Sequence, residues 1–181
     1  MLERRSALAM AKPYKSSVLE IAEHRGFILT QAAGLDDAFE TKLAAVFGNL
    51  PAKVGIAVQS DARALMRIGP AQFWIIGPEA DDLALKLQGH CAVTPLSHSR
   101  TRIVIDGAPA REVLARCMPL DFHPSAFTPG AFAMTGLHHT PVLVHCLSES
   151  RFEIYVLRTF AMSAWEWLTD AALEFQVFAP R

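Results

Sequence analysis

Two observations predict an α+β fold built mainly of antiparallel sheets with packed helices. Short strand patterns alternate with short helical ones along the whole chain. Several neighbouring strand patterns are also joined by only a few residues, whereas parallel neighbours need a crossover of a dozen residues or more.

The elements follow in order. VLEIAE (18–23) and GFILTQAA (26–33) read as strands around His24-Arg25-Gly26. Asp36 opens a helix whose apolar positions, Phe39, Leu43 and Val46-Phe47, recur every four residues until Gly48 stops it. VGIAV (54–58) and ALMRIG (64–69) are short strands, and Gly69-Pro70 turns the chain into QFWIIG (72–77). Pro78 and Glu79 begin a helix carrying Leu83, Leu85 and Leu87 up to Gly89. CAVTPL (91–96) and TRIVID (101–106) return to strand, and AREVLARCM (110–118) is a helix with Val113, Leu114 and Cys117 on one face. AFAMTGL, PVLVHCL and FEIYVL complete the strands, after which Thr159 caps a final helix to about Phe175. Residues 1–17 read as an extended, uncleaved N-terminal arm, because the apolar run Ala7–Ala11 is too short for a signal peptide. Residues 18–181 then form one domain, or a pair of intertwined half-domains.

Composition narrows the function classes. The 181 residues are 51% hydrophobic and 19% charged, with a mean hydropathy of +0.23, an apolar surplus for a water-soluble domain. No apolar run reaches the roughly 18 residues of a membrane span, so another protein is the expected cover. A net charge of −1 leaves no basic footprint for nucleic acid. Three cysteines are an odd number for a disulfide framework, and the cytoplasm is the expected compartment.

The last helix carries the partner signal. Phe160, Ala161, Ala164, Trp165, Trp167, Leu168, Ala171, Ala172 and Phe175 fill one arc, which is expected to face the core. Met162 and Leu173 project from the opposite, polar side and mark a candidate partner-contact patch.

Between Cys117 and Cys146 lie four histidines, yet a catalytic or metal site does not assemble from the pattern. In PVLVHCL the alternation places Val142, Val144 and Cys146 on one face and Leu143, His145 and Leu147 on the other, so His145 and Cys146 cannot chelate one ion from a regular strand. Only His139 and His145 approach a zinc-ligand spacing, and the histidines read instead as surface or interface groups on a hairpin. Cys117 sits on an apolar helix face, where a thiol behaves as a small hydrophobe. Neither a Walker A nor a G-x-G-x-x-G motif is present. SHSRTR (97–102) reads either as an anion-binding segment or as a charged loop entering a strand. Asp121 and His123 read either as an acid/base pair or as an ordinary turn.

Several segments resemble one known family. RIGPAQFWIIGP (67–78), PLSHSRTRIVIDGAPAREVLARCMPLDFHPSAFTPG (95–130), TPVLVH (140–145), FEIYVLRTFAMSAWEWLTDAALEF (152–175) and the N-terminal RSAL (5–8) are similar to the gamma subunit of heterotetrameric sarcosine oxidase. The resemblance implies a non-catalytic subunit with no cofactor, metal or catalytic residue of its own. Its partners would be the alpha, beta and delta subunits, with FAD, FMN, NAD, tetrahydrofolate and zinc held there. The complex would convert sarcosine to glycine, with hydrogen peroxide and 5,10-methylenetetrahydrofolate as further products. The fold implied is that of the folate-binding domain of aminomethyltransferase and of YgfZ-like proteins. The K-G-C-Y-x-G-Q motif of the latter is missing, its region reading FTPGAFAMTG (127–136). Residues His98, Arg100, Arg102, Asp121, His123, Pro124 and Gly130 are then a structural signature: the prolines fix φ and Gly130 relieves steric limits, while Leu120, Phe122 and Phe127 anchor the loop. Two alternatives stand beside this reading: a stand-alone folate-binding, aminomethyltransferase-like protein, and a gamma-like subunit of a paralogous N-methyl amino-acid oxidase or dehydrogenase.

Overall fold

The computed structural model describes residues 5–60, 63–77 and 82–176. They form two compact units interleaved along the chain: Met1–Arg25, Ser99–Pro129 and Ala133–Arg181 make the first, and Gly26–His98 with Gly130–Phe132 the second. The fold is α+β, with one antiparallel-rich sheet in each unit.

The first unit is built on a six-stranded sheet. Its strands are β1 (Tyr14–Lys15), β2 (Leu19–Glu23), β8 (Arg100–Gly107), β9 (Phe132–Leu137), β10 (Thr140–Cys146) and β11 (Arg151–Leu157), in the spatial order β1-β2-β8-β11-β10-β9. Register explains which residues share a face. Ile21 opposes Ile105, which opposes Phe152, and Ile103 opposes Ile154, which opposes Val144. All are buried. Arg111, on helix α3 (Ala110–Cys117), lies over the Phe152 ring at 5.1 Å, so α3 covers this face. Helix α4 (Ala161–Ala171) packs on α3 and β11, burying Ala161, Ala164, Trp165 and Leu168. Gly107 is required where β8 meets β2: its φ is 143°, and a Cβ there would stand 2.1 Å from the Val18 carbonyl oxygen.

Within the segment expected to be an extended arm, Tyr14–Lys15 pairs with Glu20–Ile21. Tyr14 is buried and its hydroxyl donates to the Ala172 carbonyl at 2.5 Å, and Leu8 is buried as well.

The second unit holds a five-stranded sheet of β3 (Ile28–Gly34), β4 (Ala57–Ser60), β5 (Arg63–Gly69), β6 (Gln72–Gly77) and β7 (Cys91–Pro95), in the order β4-β5-β6-β3-β7. Helix α1 (Phe39–Phe47) places Phe39 and Leu43 against Ala32, Leu65, Phe73 and Ile75, with Leu83 and Leu87 in the same cluster. The spacing by four puts those helix positions on one face. Glu40 and Arg67 form a two-point ion pair at 2.5 and 2.7 Å beside this core.

Four expectations are corrected. The strand expected at 54–58 runs instead over Ala57–Ser60, because Val54-Gly55 turns and Ile56 makes an isolated bridge to Ala131. The helix expected from Pro78 is a single turn, α2 (Leu83–Lys86); Leu85 is exposed, since one turn can bury only one side, and residues 78–81 lie outside the described ones. Thr159 does not cap the last helix. The chain enters it through a 3-10 turn, Arg158–Phe160, that leaves Phe160 at the N-cap and 44% exposed, not in the core. A second 3-10 turn, Leu173–Phe175, ends the element.

Candidate functional site

The signature loop is held by one guanidinium. Arg111 donates from Nη1 to the carbonyls of Phe122 (2.8 Å) and Phe127 (3.0 Å), and from Nε and Nη2 to the Glu149 carbonyl and carboxylate. Phe122 and Phe127 meet edge to face at 5.5 Å, and both reach Phe152. The loop therefore has an aromatic foot and a cationic clamp. Leu120 is half-buried. The Asp121 carboxylate accepts the backbone N–H of His123 at 2.8 Å, an Asx turn, while the His123 ring meets Ser125 Oγ at 2.7 Å. No acid/base pair joins the two side chains. Pro124 is exposed, and Gly130 adopts φ 85°, a left-handed conformation that a side chain would disfavour.

On the sheet face opposite Phe152 lies a cluster of ionisable groups. Cross-strand pairing sets His145 beside Glu153 and Tyr155 beside Arg102, and Glu153 and Tyr155 share a face two residues apart. The Tyr155 hydroxyl donates to Glu153 Oε2 at 2.5 Å, and Arg102 Nη1 donates to Oε1 at 3.3 Å. His24 Nδ1 stands 4.0 Å from the same oxygen. Burial pushes the Glu153 pKa up, but the neighbouring His145 ring, the Tyr155 hydrogen bond and the Arg102 charge together outweigh it and hold the carboxyl below its usual range. Burial and then the Glu153 charge raise the Tyr155 pKa. Burial, reinforced by Arg102, lowers that of His24. The set is thus fixed as carboxylate, phenol and guanidinium, each committed to another, an arrangement suited to locking β8 to β11.

His145 corrects an expectation: it is fully buried, not a surface histidine. Strand β10 is buried on both faces from Val142 to Cys146, so alternation in the sequence does not separate an outer side. The nearest carboxylate oxygen, Glu153 Oε2, is 4.0 Å from Nδ1, and neither ring nitrogen has a hydrogen-bond partner among the described residues. His138 and His139 form the exposed turn between β9 and β10. There His138 takes φ 49°, and its ring meets that of Trp167 at 4.9 Å, tilted by 57°.

The other candidates are dispersed. His98 is exposed in a turn, and Arg100 reaches Ser99 Oγ at 3.0 Å, its pKa lowered by burial. Arg102 does not stand open to an anion, because Glu153 occupies it. Among the described residues no three His, Cys, Asp or Glu side chains group to hold a metal ion. All three cysteines are unpaired, and burial pushes the Cys117 thiol up to about 11 and raises those of Cys146 and Cys91. Such thiols are poor nucleophiles at neutral pH. Arg111, Glu153 and Tyr155 were missed by the motif reading, and His145 was expected at the surface. The available signal was a lone charge inside each of two apolar runs, Arg102 in TRIVI and Glu153 in FEIYVL.

A cleft of about 460 Å³ opens between Leu8, Ala11, Pro13 and Tyr14 on one side and Trp165 on the other. Met162, on α4, is half-buried, and Leu173, in the 3-10 turn that follows it, is 53% exposed.

The family model for the sarcosine oxidase gamma subunit matches residues 31–174. The chain belongs to the sarcosine oxidase gamma subunit family. Its relatives include the sarcosine oxidase gamma subunits of Corynebacterium sp. (strain P-1), 33% identical over 72% of this chain and 68% of that protein, and of Arthrobacter sp., 33% identical over 74% and 69%. Among solved structures, a chain of the heterotetrameric sarcosine oxidase from Corynebacterium sp. U-96, in complex with pyrrole 2-carboxylate, superposes with a TM-score of 0.84 at 26% identity, covering 98% of this chain and 99% of that one. The glycine cleavage system aminomethyltransferase T of Bartonella henselae has a similar fold, with a TM-score of 0.63 at 18% identity over 84% of this chain and 46% of that one. No described helix is long and apolar enough to cross a membrane.

Proposed function

We propose that this chain is the gamma subunit of a heterotetrameric sarcosine oxidase, a non-catalytic component working in the cytoplasm. The alpha, beta and delta subunits hold FAD, FMN, NAD, tetrahydrofolate and zinc. The assembly oxidises the N-methyl group of sarcosine, releasing glycine and hydrogen peroxide and passing the one-carbon unit to tetrahydrofolate. The observation that carries the reading is the superposition, nearly complete for both chains, on one chain of a solved heterotetrameric sarcosine oxidase. The site chemistry agrees with it: the ionisable cluster is occupied by its own members, and the buried thiols are held protonated.

Met162 and Leu173 supply a contact for a larger subunit, since apolar side chains on the polar flank of a helix gain from being covered. Co-expression of the tagged chain with the other three subunits tests the reading. The four polypeptides co-purify, and Met162→Glu with Leu173→Glu lowers recovery of the partners while the isolated chain keeps its unfolding midpoint. Flavin absorbance or sarcosine-dependent peroxide from the isolated chain would overturn the proposal. Saturable micromolar binding of tetrahydrofolate by that chain would favour the stand-alone folate-binding alternative.

A further inference from the structure

Strand β9 closes one edge of the six-stranded sheet, and its backbone is prepared for another strand. Phe132 turns its N–H away from β10 and donates to the Gly55 carbonyl, and the His138 N–H likewise leaves the sheet for the Cys117 carbonyl. Backbone groups alternate in direction along a strand, so the N–H and C=O of Met134 and Gly136 point outward too. Among the described residues no backbone hydrogen bond reaches that edge between Ala133 and Gly136.

Natural sheets blunt such edges with charge, proline, bulges or brevity. Other edges here conform: β1 has two residues, follows Pro13 and carries Lys15, β4 has only four residues and gives its Ala57 N–H to the Gly130 carbonyl, and β7 ends on Pro95. β9 does not. Its six residues, FAMTGL, hold neither charge nor proline, Met134 is 59% exposed, and Gly136 presents no side chain to keep a second backbone away.

We infer that the Met134–Gly136 edge of β9 receives an extended segment of another subunit of the complex, adding a seventh strand to the sheet. The occupant is a short stretch of extended backbone that pairs with the outward groups of Met134 and Gly136 and sets an apolar side chain on the Met134 thioether, a flexible contact surface. The inference rests on the subunit reading above. A larger subunit fits better than a second copy of this chain, because the relative with the near-complete superposition is a heterotetramer.

The test uses the co-expressed complex. Hydrogen exchange at the Met134 and Gly136 amides is expected to slow at least tenfold in the complex relative to the isolated chain. Met134→Pro removes one outward N–H without touching the bonds to β10, and Met134→Lys places a charge on the edge as natural edges do. Each should cut recovery of the complex about tenfold. Should the proline variant fail to fold, the lysine variant and the exchange measurement still decide. If the wild-type chain assembles while Met134→Lys assembles equally and the two amides stay unprotected, the edge inference fails and the subunit reading stands. If the wild-type chain finds no partner at all, both fail. A stable homodimer of the isolated chain that Met134→Lys dissociates would assign the edge to a second copy and overturn the inference.

Discussion

Replacing Glu153 by glutamine tests whether the buried cluster locks β8 and β11 together. The amide keeps the shape of the side chain and an oxygen for the Tyr155 hydroxyl. What it removes is the charge of a carboxylate whose side chain is 9% exposed, facing a guanidinium that is 11% exposed. Breaking a buried pair costs about 3–5 kcal/mol when nothing replaces it. Here the phenol bond survives and Arg102 also reaches the His24 carbonyl at 3.4 Å, which reduces the expected loss to about 2–3 kcal/mol. With a urea dependence of roughly 2 kcal/mol per M for a chain of this size, the unfolding midpoint falls by about 1 M. Far-UV circular dichroism and tryptophan fluorescence followed together measure it. Trp165 and Trp167 report on the first unit and Trp74 on the second. The pH dependence has a definite sign. Because the folded Glu153 pKa is depressed, the unfolded chain binds more protons in acid, so the contribution is present at neutral pH and lost as pH falls through the folded value. The difference between wild type and Glu153→Gln therefore narrows below about pH 4. A difference under about 0.5 kcal/mol at pH 7, beneath the usual scatter of surface substitutions, refutes the lock. So does a difference that widens in acid.

Arg111→Leu leaves the Phe122 and Phe127 carbonyls without their donor, and each buried acceptor so stranded costs about 1–3 kcal/mol. Limited proteolysis within residues 119–130 should accelerate, and Arg111→Lys should restore little, since an ammonium cannot span the fork; equal cleavage rates for wild type and Arg111→Leu would remove the clamp. Thiol labelling with a maleimide at pH 7.5 should modify half-buried Cys91 first and spare Cys117 and Cys146 until the chain unfolds. Mass-resolved modification of Cys117 at the rate of a free cysteine would contradict its burial.

The fold class, the main strands and the first and third helices were legible because each depends on local periodicity. Phe39 and Leu43 sit one turn apart whatever lies elsewhere in the chain, and α1 buries both. The ends of elements were less legible. Thr159 is a good N-cap residue by type, yet the chain leaves β11 through a 3-10 turn that puts Phe160 at the cap, a choice made by where β11 ends. The cluster was hidden for a deeper reason. Glu153 in FEIYVL occupies a strand position that reads as solvent-facing, and only the register that brings it diagonal to Arg102, 51 residues away, turns it inward. A single charge inside an apolar strand is ambiguous by itself. Two strands that each carry one, of opposite sign, are far less so, because each supplies the partner the other needs in order to be buried. The same reasoning applies to the β9 edge with the sign reversed: FAMTGL lacks any charge to keep a neighbour away, and its register turns the unpaired Met134 and Gly136 backbone outward.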